Sequence, residues 1–248
     1  LESSDFLKIR ESARSAGGDA RTLENDMFSV GYRVMDQDGT HTDYVYPLNI
    51  SSTPRYRIIA DFLEADDHNP FSNEDYVRRP GSDQWEIVPF DFDFTMRRCN
   101  WPYPGLLREI DQSASLSLEE KAFAKSETYR IAREIFDNPN NLHKILELID
   151  RYPFEYAGKN ALKDYVRLRF YILAFYYGST EFAAWTGQTY VPFQNEKFFR
   201  VEADRLLESR NLFSPELRIL AGGLRYMLKN DISAATLTPA EVLQIFDK

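Results

Sequence analysis

Two different spacings of hydrophobic residues divide the chain near residue 100. Within residues 28–48, apolar side chains alternate with polar or small ones, and the tight-turn pair Asp38-Gly39 separates two alternating runs. This spacing predicts two antiparallel strands joined at residues 36–39. A third alternating run predicts a strand over residues 85–95, and the polar, turn-rich residues 66–84 predict a long loop before it.

Beyond residue 100 the apolar residues recur at helical spacing, with clear signals for helix starts. Ser117, followed three residues later by Glu120, fits a capping box and predicts a helix to about residue 137. Asn138-Pro139 predicts the start of the next helix. Residues 160–178 are apolar nearly all round, which predicts a helix at the centre of the helical part. Further helices are predicted over residues 5–17 and 194–210 and from residues 53, 215 and 239.

These patterns predict an α+β protein. A small antiparallel sheet within residues 1–100 is expected to pack with a larger, mostly α-helical part in residues 101–248, and the two parts could form one continuous domain. A chain of 248 residues is long enough to bury a core without disulfide or metal support.

Charge and composition limit the classes of molecule that this chain is expected to bind. The net charge is -9, of which residues 1–100 contribute -8 (11 bases, 19 acids). A negative field of this kind disfavours nucleic-acid binding. The chain is rich in Tyr (15) and has more Arg than Lys. Such residues are typical of protein-binding surfaces, although an aromatic core would account for the same aromatic content.

Cysteine content and hydropathy indicate a cytoplasmic protein. Cys99 is the only cysteine, so neither an intramolecular disulfide nor a cysteine zinc site can form. Residues 1–5 show neither the basic nor the apolar region of a signal peptide. The most apolar stretch, residues 170–177, is far shorter than the ~20 residues that span a bilayer, so we expect no membrane contact.

One group of acidic residues is a candidate metal site. Acidic residues run past the predicted end of the helix that begins at residue 53, where they face the negative end of the helix dipole. Asp91 and Asp93 stand two apart in the predicted third strand, so their carboxylates share a face ~6.5–7 Å apart. The proposed ligands of a divalent cation are Asp66, Asp67, His68, Asp91 and Asp93. Alternatively, the strand carboxylates face water and pair with Arg97 or Arg98.

Two functional hypotheses follow from the sequence. The chain has no phosphate-binding glycine loop and no recognisable nucleophile with its base. The first hypothesis is therefore a soluble intracellular, non-enzymatic module for protein interaction or assembly, with one or more protein partners and no cofactor. The alternative is a divalent-metal-dependent enzyme that acts on a phosphorylated substrate through Asp91 and Asp93.

Overall fold

The computed structural model describes residues 19–22, 26–64, 74–89, 105–152 and 158–208, together with positions 222, 224, 225 and 229. The predicted α+β class is confirmed: the strands lie in the N-terminal part and the described residues beyond 104 are mostly helical. In chain order the elements are β1 (Asp19–Thr22), β2 (Ser29–Met35), β3 (His41–Pro47), α1 (Thr53–Leu63), β4 (Glu74–Arg78), β5 (Trp85–Pro89), α2 (Gly105–Gln112), α3 (Leu118–Phe136), α4 (Pro139–Arg151), α5 (Lys159–Tyr177), α6 (Thr180–Trp185) and α7 (Glu196–Glu208).

The chain divides into two compact units. The described residues of the first unit are those up to Ala60, residues 74–89 and residues 105–124. The second unit contains Asp61–Glu64 and the described residues from Lys125 onward. The division at residue 100 drawn from the sequence stays a prediction.

In the first unit, β2 and β3 form the predicted hairpin. They pair antiparallel from Ser29 opposite Pro47 to Met35 opposite His41. The turn closes through the Asp36 N–H, which donates to the carbonyl of Thr40 at 2.9 Å. Strand β1 pairs with the other edge of β2 and lies outside the range predicted for strands. Its four residues are too few to show an alternating pattern, so pairing with β2 defines it.

Strand β4 corrects the predicted long loop at residues 66–84. Residues Glu74–Arg78 pair antiparallel with β5, from Glu74 opposite Pro89 to Arg78 opposite Trp85. This two-stranded sheet shares a core with the hairpin: Leu48 forms a parallel bridge to Trp85. The buried members of this core are Val30, Leu48, Tyr76 and Trp85. The polar residues of β4 do not predict a strand, yet its central residue, Tyr76, is only 4% exposed.

Helix α1 begins at the predicted position, but Thr53 does not cap it as the sequence predicts. The Thr53 hydroxyl is buried and makes no hydrogen bond within the described part of the structure. In the turn before the helix, the side-chain oxygen of Asn49 accepts the N–H groups of Ser51 and Ser52 at 2.9 and 3.0 Å, as asparagine often does in turns.

Asp26 ties distant parts of the first unit together. Its carboxylate accepts hydrogen bonds from the Phe28 N–H (2.7 Å), the Ser113 hydroxyl (3.0 Å), and both the N–H and hydroxyl of Ser115 (2.9 Å each). Partial burial works to raise the pKa of Asp26, but these four hydrogen bonds outweigh it and hold the pKa below its usual range. These hydrogen bonds fix the segment after α2 to the residues that immediately precede β2.

In the second unit, α5 is central, as predicted. Eleven of its residues are buried, including every residue of 170–177 except Phe175. The predicted capping box precedes α3: the Ser117 N–H donates to Glu120 Oε2 at 2.8 Å, and the Glu120 N–H donates to Ser117 Oγ at 3.3 Å. Asn138 caps α4, also as predicted.

Two short helices were not predicted, α2 in the first unit and α6 in the second. Each has at most eight residues, too few for helical periodicity to stand out from the flanking sequence. The predicted helices at residues 5–17 and from residue 239, the start of the helix predicted from residue 215, and the end of the predicted third strand lie outside the described residues. Positions 222, 224, 225 and 229 are helical. Within the described part of the chain, none of the helices combines the length and apolar character that crossing a lipid bilayer requires.

Candidate functional sites

The predicted metal ligands Asp66, Asp67, His68, Asp91 and Asp93 all lie outside the described residues, so the metal site stays a prediction. Within the ranges that the structure does describe, no three His, Cys, Asp or Glu side chains are placed to hold a metal ion. Two other arrangements in the second unit are candidates for function. One is a buried cluster of charges and the other is an ordered surface loop.

The buried charge cluster is centred on Arg169 of α5. Its Nη2 donates to the backbone carbonyl of Asp61 at 2.6 Å and to Asp61 Oδ1 at 2.8 Å. Its Nη1 lies 3.5 Å from Glu64 Oε1. The Tyr165 hydroxyl donates to the other oxygen of Glu64, and the Tyr177 hydroxyl lies 3.5 Å from Asp61 Oδ2. One arginine thus bridges two carboxylates, each of which also meets a tyrosine.

Burial dominates the electrostatics of this cluster. The side chains of Arg169 and Glu64 are each 2% exposed, against 29% for Asp61. Burial raises the pKa of Asp61 by more than the positive Arg169 and the Tyr177 hydroxyl lower it. The pKa of Tyr177 is raised well above its usual range by burial and by the negative charge of Asp61. The ring of Phe136 stacks on Tyr177 with centroids 5.4 Å apart, so Tyr177 joins the charge cluster to the aromatic core.

The cluster explains an irregularity in the sequence. Glu64 stands at the C-terminal end of α1, where the helix dipole opposes a carboxylate, and Arg169 supplies the compensating charge from α5. Glu64 also has a φ of 50°, a left-handed conformation that costs a non-glycine residue roughly 1–2 kcal/mol. Tertiary contacts therefore hold this helix end in place. Because Arg169 and Glu64 at its centre are each only 2% exposed, we assign the cluster to the organisation of the core.

The second arrangement is the loop at residues 185–195, which runs from the end of α6 to the start of α7. Arg133 of α3 fixes its backbone: Nη1 donates to the carbonyl of Val191, and Nη2 donates to that of Pro192 at 3.0 Å. The guanidinium also lies over the ring of Phe193, 4.7 Å from its centroid. Nη2 further contacts Asp137 Oδ2 at 3.3 Å, which orients the arginine.

Both ends of the 185–195 loop are also fixed. At its far end, the Asn195 side-chain amide donates to the carbonyl of Asp137 at 2.7 Å. The Phe193 ring packs so closely on Gly178 that a Cβ there would lie 3.2 Å from it and 2.7 Å from the Ala174 carbonyl oxygen. At the near end, the N–H groups of Gly187 and Gln188 donate to the carbonyls of Ala184 and Ala183 at 3.1 and 2.9 Å, and Gly187 has a φ of 70°, which glycine adopts without strain. The loop therefore has one defined backbone path.

This ordered loop leaves large apolar side chains open to solvent. Val191 is 55% exposed, Trp185 44% and Tyr190 38%. A buried Trp or Tyr removes 150–250 Å² from water, so the open parts of these two rings amount to about 120–200 Å². At ~25 cal/mol per Å², covering them is worth roughly 3–5 kcal/mol. Trp, Tyr and Arg are also the residues that most often dominate protein–protein binding energy.

The loop was missed at the sequence level, yet the sequence carries a signal for it. Residues 182–195 contain no charged side chain, and no other run of this length in the chain is free of charge. Uncharged runs usually belong to the core, but seven of the eleven residues at 185–195 are exposed. Depletion of charge at an exposed position is typical of the centre of a protein interface.

Comparisons with protein-family models, with curated proteins and with solved structures find no match to this chain. The assignment of function therefore depends on the geometry of its own residues.

Proposed function

We propose that this chain is an intracellular, non-enzymatic protein-interaction module and that the 185–195 loop is its binding surface. The observation that carries the proposal is the combination of a fixed backbone with exposed aromatic side chains. Arg133 donates hydrogen bonds to the carbonyls of Val191 and Pro192, while the side chains of Trp185 and Tyr190 remain exposed to solvent. A surface ordered before binding avoids much of the entropy that a mobile loop would lose.

The charge distribution supports a protein partner over a nucleic acid. The loop offers no basic side chain to a phosphate backbone, and the chain as a whole carries a net charge of -9. Two arginines near the loop are paired within the chain: Arg200 lies 3.0 Å from Glu196, and Arg133 lies 3.3 Å from Asp137. A partner that covers the loop would therefore meet these two arginines with their charges already compensated.

Site-specific photocrosslinking tests this proposal. Tyr190 is replaced by the photoreactive p-benzoylphenylalanine, and Tyr152, which is 61% exposed at the C-terminal end of α4, is replaced in a matched variant. Both proteins are irradiated in cells of the source organism. We expect discrete protein adducts at position 190 and few or none at position 152. The same adducts should disappear when Val191→Asp is added to the Tyr190 variant, because a buried carboxylate opposes binding.

Equal or absent adducts at positions 190 and 152 would contradict the proposed surface. Circular dichroism of Val191→Asp provides the folding control. Because Val191 is 55% exposed, this substitution should change stability by no more than ~0.5 kcal/mol.

A further inference from the structure

We propose that the Asp38-Gly39 pair is a site of isoaspartate formation that the folded hairpin of β2 and β3 suppresses, so that the modification accumulates in molecules whose turn has opened. In flexible peptides an aspartate followed by glycine reacts in this way most readily, because glycine has no side chain to crowd its nitrogen. The chain contains one Asp-Gly pair and no Asn-Gly pair, and residues 36–40 are all exposed. The pair belongs to the first unit and plays no part in the proposed function.

The reaction needs only water besides the chain itself. The nitrogen of Gly39 attacks Cγ of the protonated Asp38 carboxyl. The N–Cγ bond forms, the C–OH bond breaks, and the hydroxyl leaves with the amide proton as water, which gives a cyclic succinimide. Water then opens the ring. Attack at the main-chain carbonyl carbon of Asp38 leaves the chain running through Cγ as isoaspartate, and attack at Cγ restores aspartate, so the mass is unchanged in either case.

The folded turn occupies the attacking nitrogen. The Gly39 N–H donates to the carbonyl of Asp36 at 3.0 Å, so the proton that ring closure must remove is held in a hydrogen bond. A second bond, from the Asp36 N–H to the Thr40 carbonyl at 2.9 Å, closes the turn. Gly39 has a φ of 84° in this turn, which glycine adopts without strain. Attack by the Gly39 nitrogen therefore competes with a relaxed, hydrogen-bonded conformation.

Thr40 restrains the carboxyl group that would be attacked. Oδ1 of Asp38 accepts the Thr40 N–H at 2.9 Å and the Thr40 hydroxyl at 2.7 Å, which restricts rotation of Cγ towards the Gly39 nitrogen. The same two bonds, the hydroxyl above all, hold the pKa of Asp38 below its usual range and so disfavour the neutral carboxyl that ring closure uses. Both reacting groups are thus held in other contacts, and poorly oriented groups react slowly.

Strand pairing next to the turn maintains this conformation. Met35 pairs with His41 beside the turn. Arg33 and Asp43 then join the two strands through two side-chain hydrogen bonds, Nε to Oδ1 at 2.7 Å and Nη2 to Oδ2 at 2.8 Å. The end of the hairpin has to open before Asp38 can react. The rate of isoaspartate formation in the native protein therefore reports the fraction of molecules in which this turn is open.

Peptide mapping after prolonged incubation at neutral pH tests the proposal. The full chain is kept folded in buffer or unfolded in guanidinium chloride and is then digested with trypsin, which releases residues 34–55 as one peptide. Chromatography and electron-transfer fragmentation separate and locate the isoaspartate. At Asp38 we expect formation at least about tenfold slower in the folded chain. Asp43, which the bulky Tyr44 follows in the same peptide, is the internal reference and should react little in either state.

A pair of threonine variants tests the restraint itself. Thr40→Val removes the hydroxyl that binds Asp38 but keeps the backbone N–H and the side-chain shape, so it should speed the reaction several-fold in the folded chain and leave the rate in the unfolded chain unchanged. The matched control is Thr42→Val, the same change at an exposed residue of β3, which should have no effect. Circular dichroism verifies that both variants fold, and the comparison of folded with unfolded unaltered protein depends on neither.

Three results would each overturn the proposal. The first is an equal rate at Asp38 in the folded and unfolded chain, which would show that the turn gives no protection. The second is the absence of isoaspartate at Asp38 in the unfolded chain, which would show that the pair is not a reactive site. The third is an equal effect of Thr40→Val and Thr42→Val, which would show that the Thr40 hydroxyl does not restrain the carboxyl.

Discussion

Replacing Arg169 by methionine should destabilise the protein far more than removing an arginine usually does. Methionine matches much of the volume of the arginine stem but leaves Glu64, whose side chain is 2% exposed, without its positive partner. Breaking a buried ion pair on one side costs about 3–5 kcal/mol, because the remaining charge stays buried without compensation. Asp61 loses two hydrogen bonds from the same guanidinium, so we expect a loss near the upper end of this range.

The control is an exposed arginine–glutamate pair with the same N–O distance. Arg151 and Glu147 also lie 3.5 Å apart, but their side chains are 76% and 64% exposed. Arg151→Met should therefore cost no more than ~0.5 kcal/mol. Urea unfolding at pH 7, followed by circular dichroism, measures both losses. In the double variant Arg169→Met with Glu64→Gln, the stranded charge is absent, so the protein should regain part of the stability that Arg169→Met removes.

The pH dependence of Arg169→Met gives an independent measurement through Asp61, the second carboxylate that loses the arginine. Burial already raises the pKa of Asp61, and Arg169 is the strongest influence that lowers it, so removing the arginine raises that pKa further. A carboxyl whose pKa is higher in the folded state contributes stability below its unfolded pKa of about 3.9 and loses it as the pH rises through the folded value. The deficit relative to the unaltered protein should thus shrink from pH 7 towards pH 4. A loss below ~1 kcal/mol at pH 7, or a deficit that does not change with pH, would refute the account of the cluster.

Three further predictions follow from other parts of the chain. Asp26→Asn places an amide N–H₂ against donors on Ser113 and Ser115, and should cost about 1–3 kcal/mol at pH 7. Because the pKa of Asp26 is lowered in the folded state, its contribution is present above the unfolded pKa and is lost as the pH falls through the folded value, so urea unfolding of the two proteins should converge in acid. Leu173→Ala, at a residue that is 0% exposed, should cost about 2–5 kcal/mol in the same assay, and a loss below ~1 kcal/mol would place this residue outside the core. If the predicted metal site exists, millimolar Mg²⁺ or Ca²⁺ should raise the melting temperature over that in EDTA, and a cation at 100 times its Kd adds roughly 2.7 kcal/mol to the free energy of unfolding. This difference should vanish in the double variant Asp91→Asn with Asp93→Asn. Superimposed melting curves for the unaltered protein would exclude the site.

The buried charge cluster shows where sequence reasoning stops. The sequence indicates that carboxylates at the end of α1 need compensation, because the helix dipole opposes them. It does not identify Arg169 as the compensating charge. This residue follows Glu64 by more than a hundred positions and lies in a helix whose sequence is mostly apolar. Only the packing of α5 on the last turn of α1 brings the guanidinium to Asp61 and Glu64. The desolvation that raises the pKa of Asp61 is likewise a property of the packed core.

For the fold, the sequence by itself determined the features that depend on near neighbours. The hairpin at residues 29–47, the capping box before α3 and the Asn138 cap each need only a few adjacent residues, and all three are observed. Strands β1 and β4 were missed because short strands are defined by the strands they pair with. The 185–195 loop was decided by tertiary structure for a related reason: a charge-free run is compatible with a core or a surface. What makes it a surface is Arg133, more than fifty residues away, whose hydrogen bonds fix the backbone while the rings of Trp185 and Tyr190 remain exposed to water.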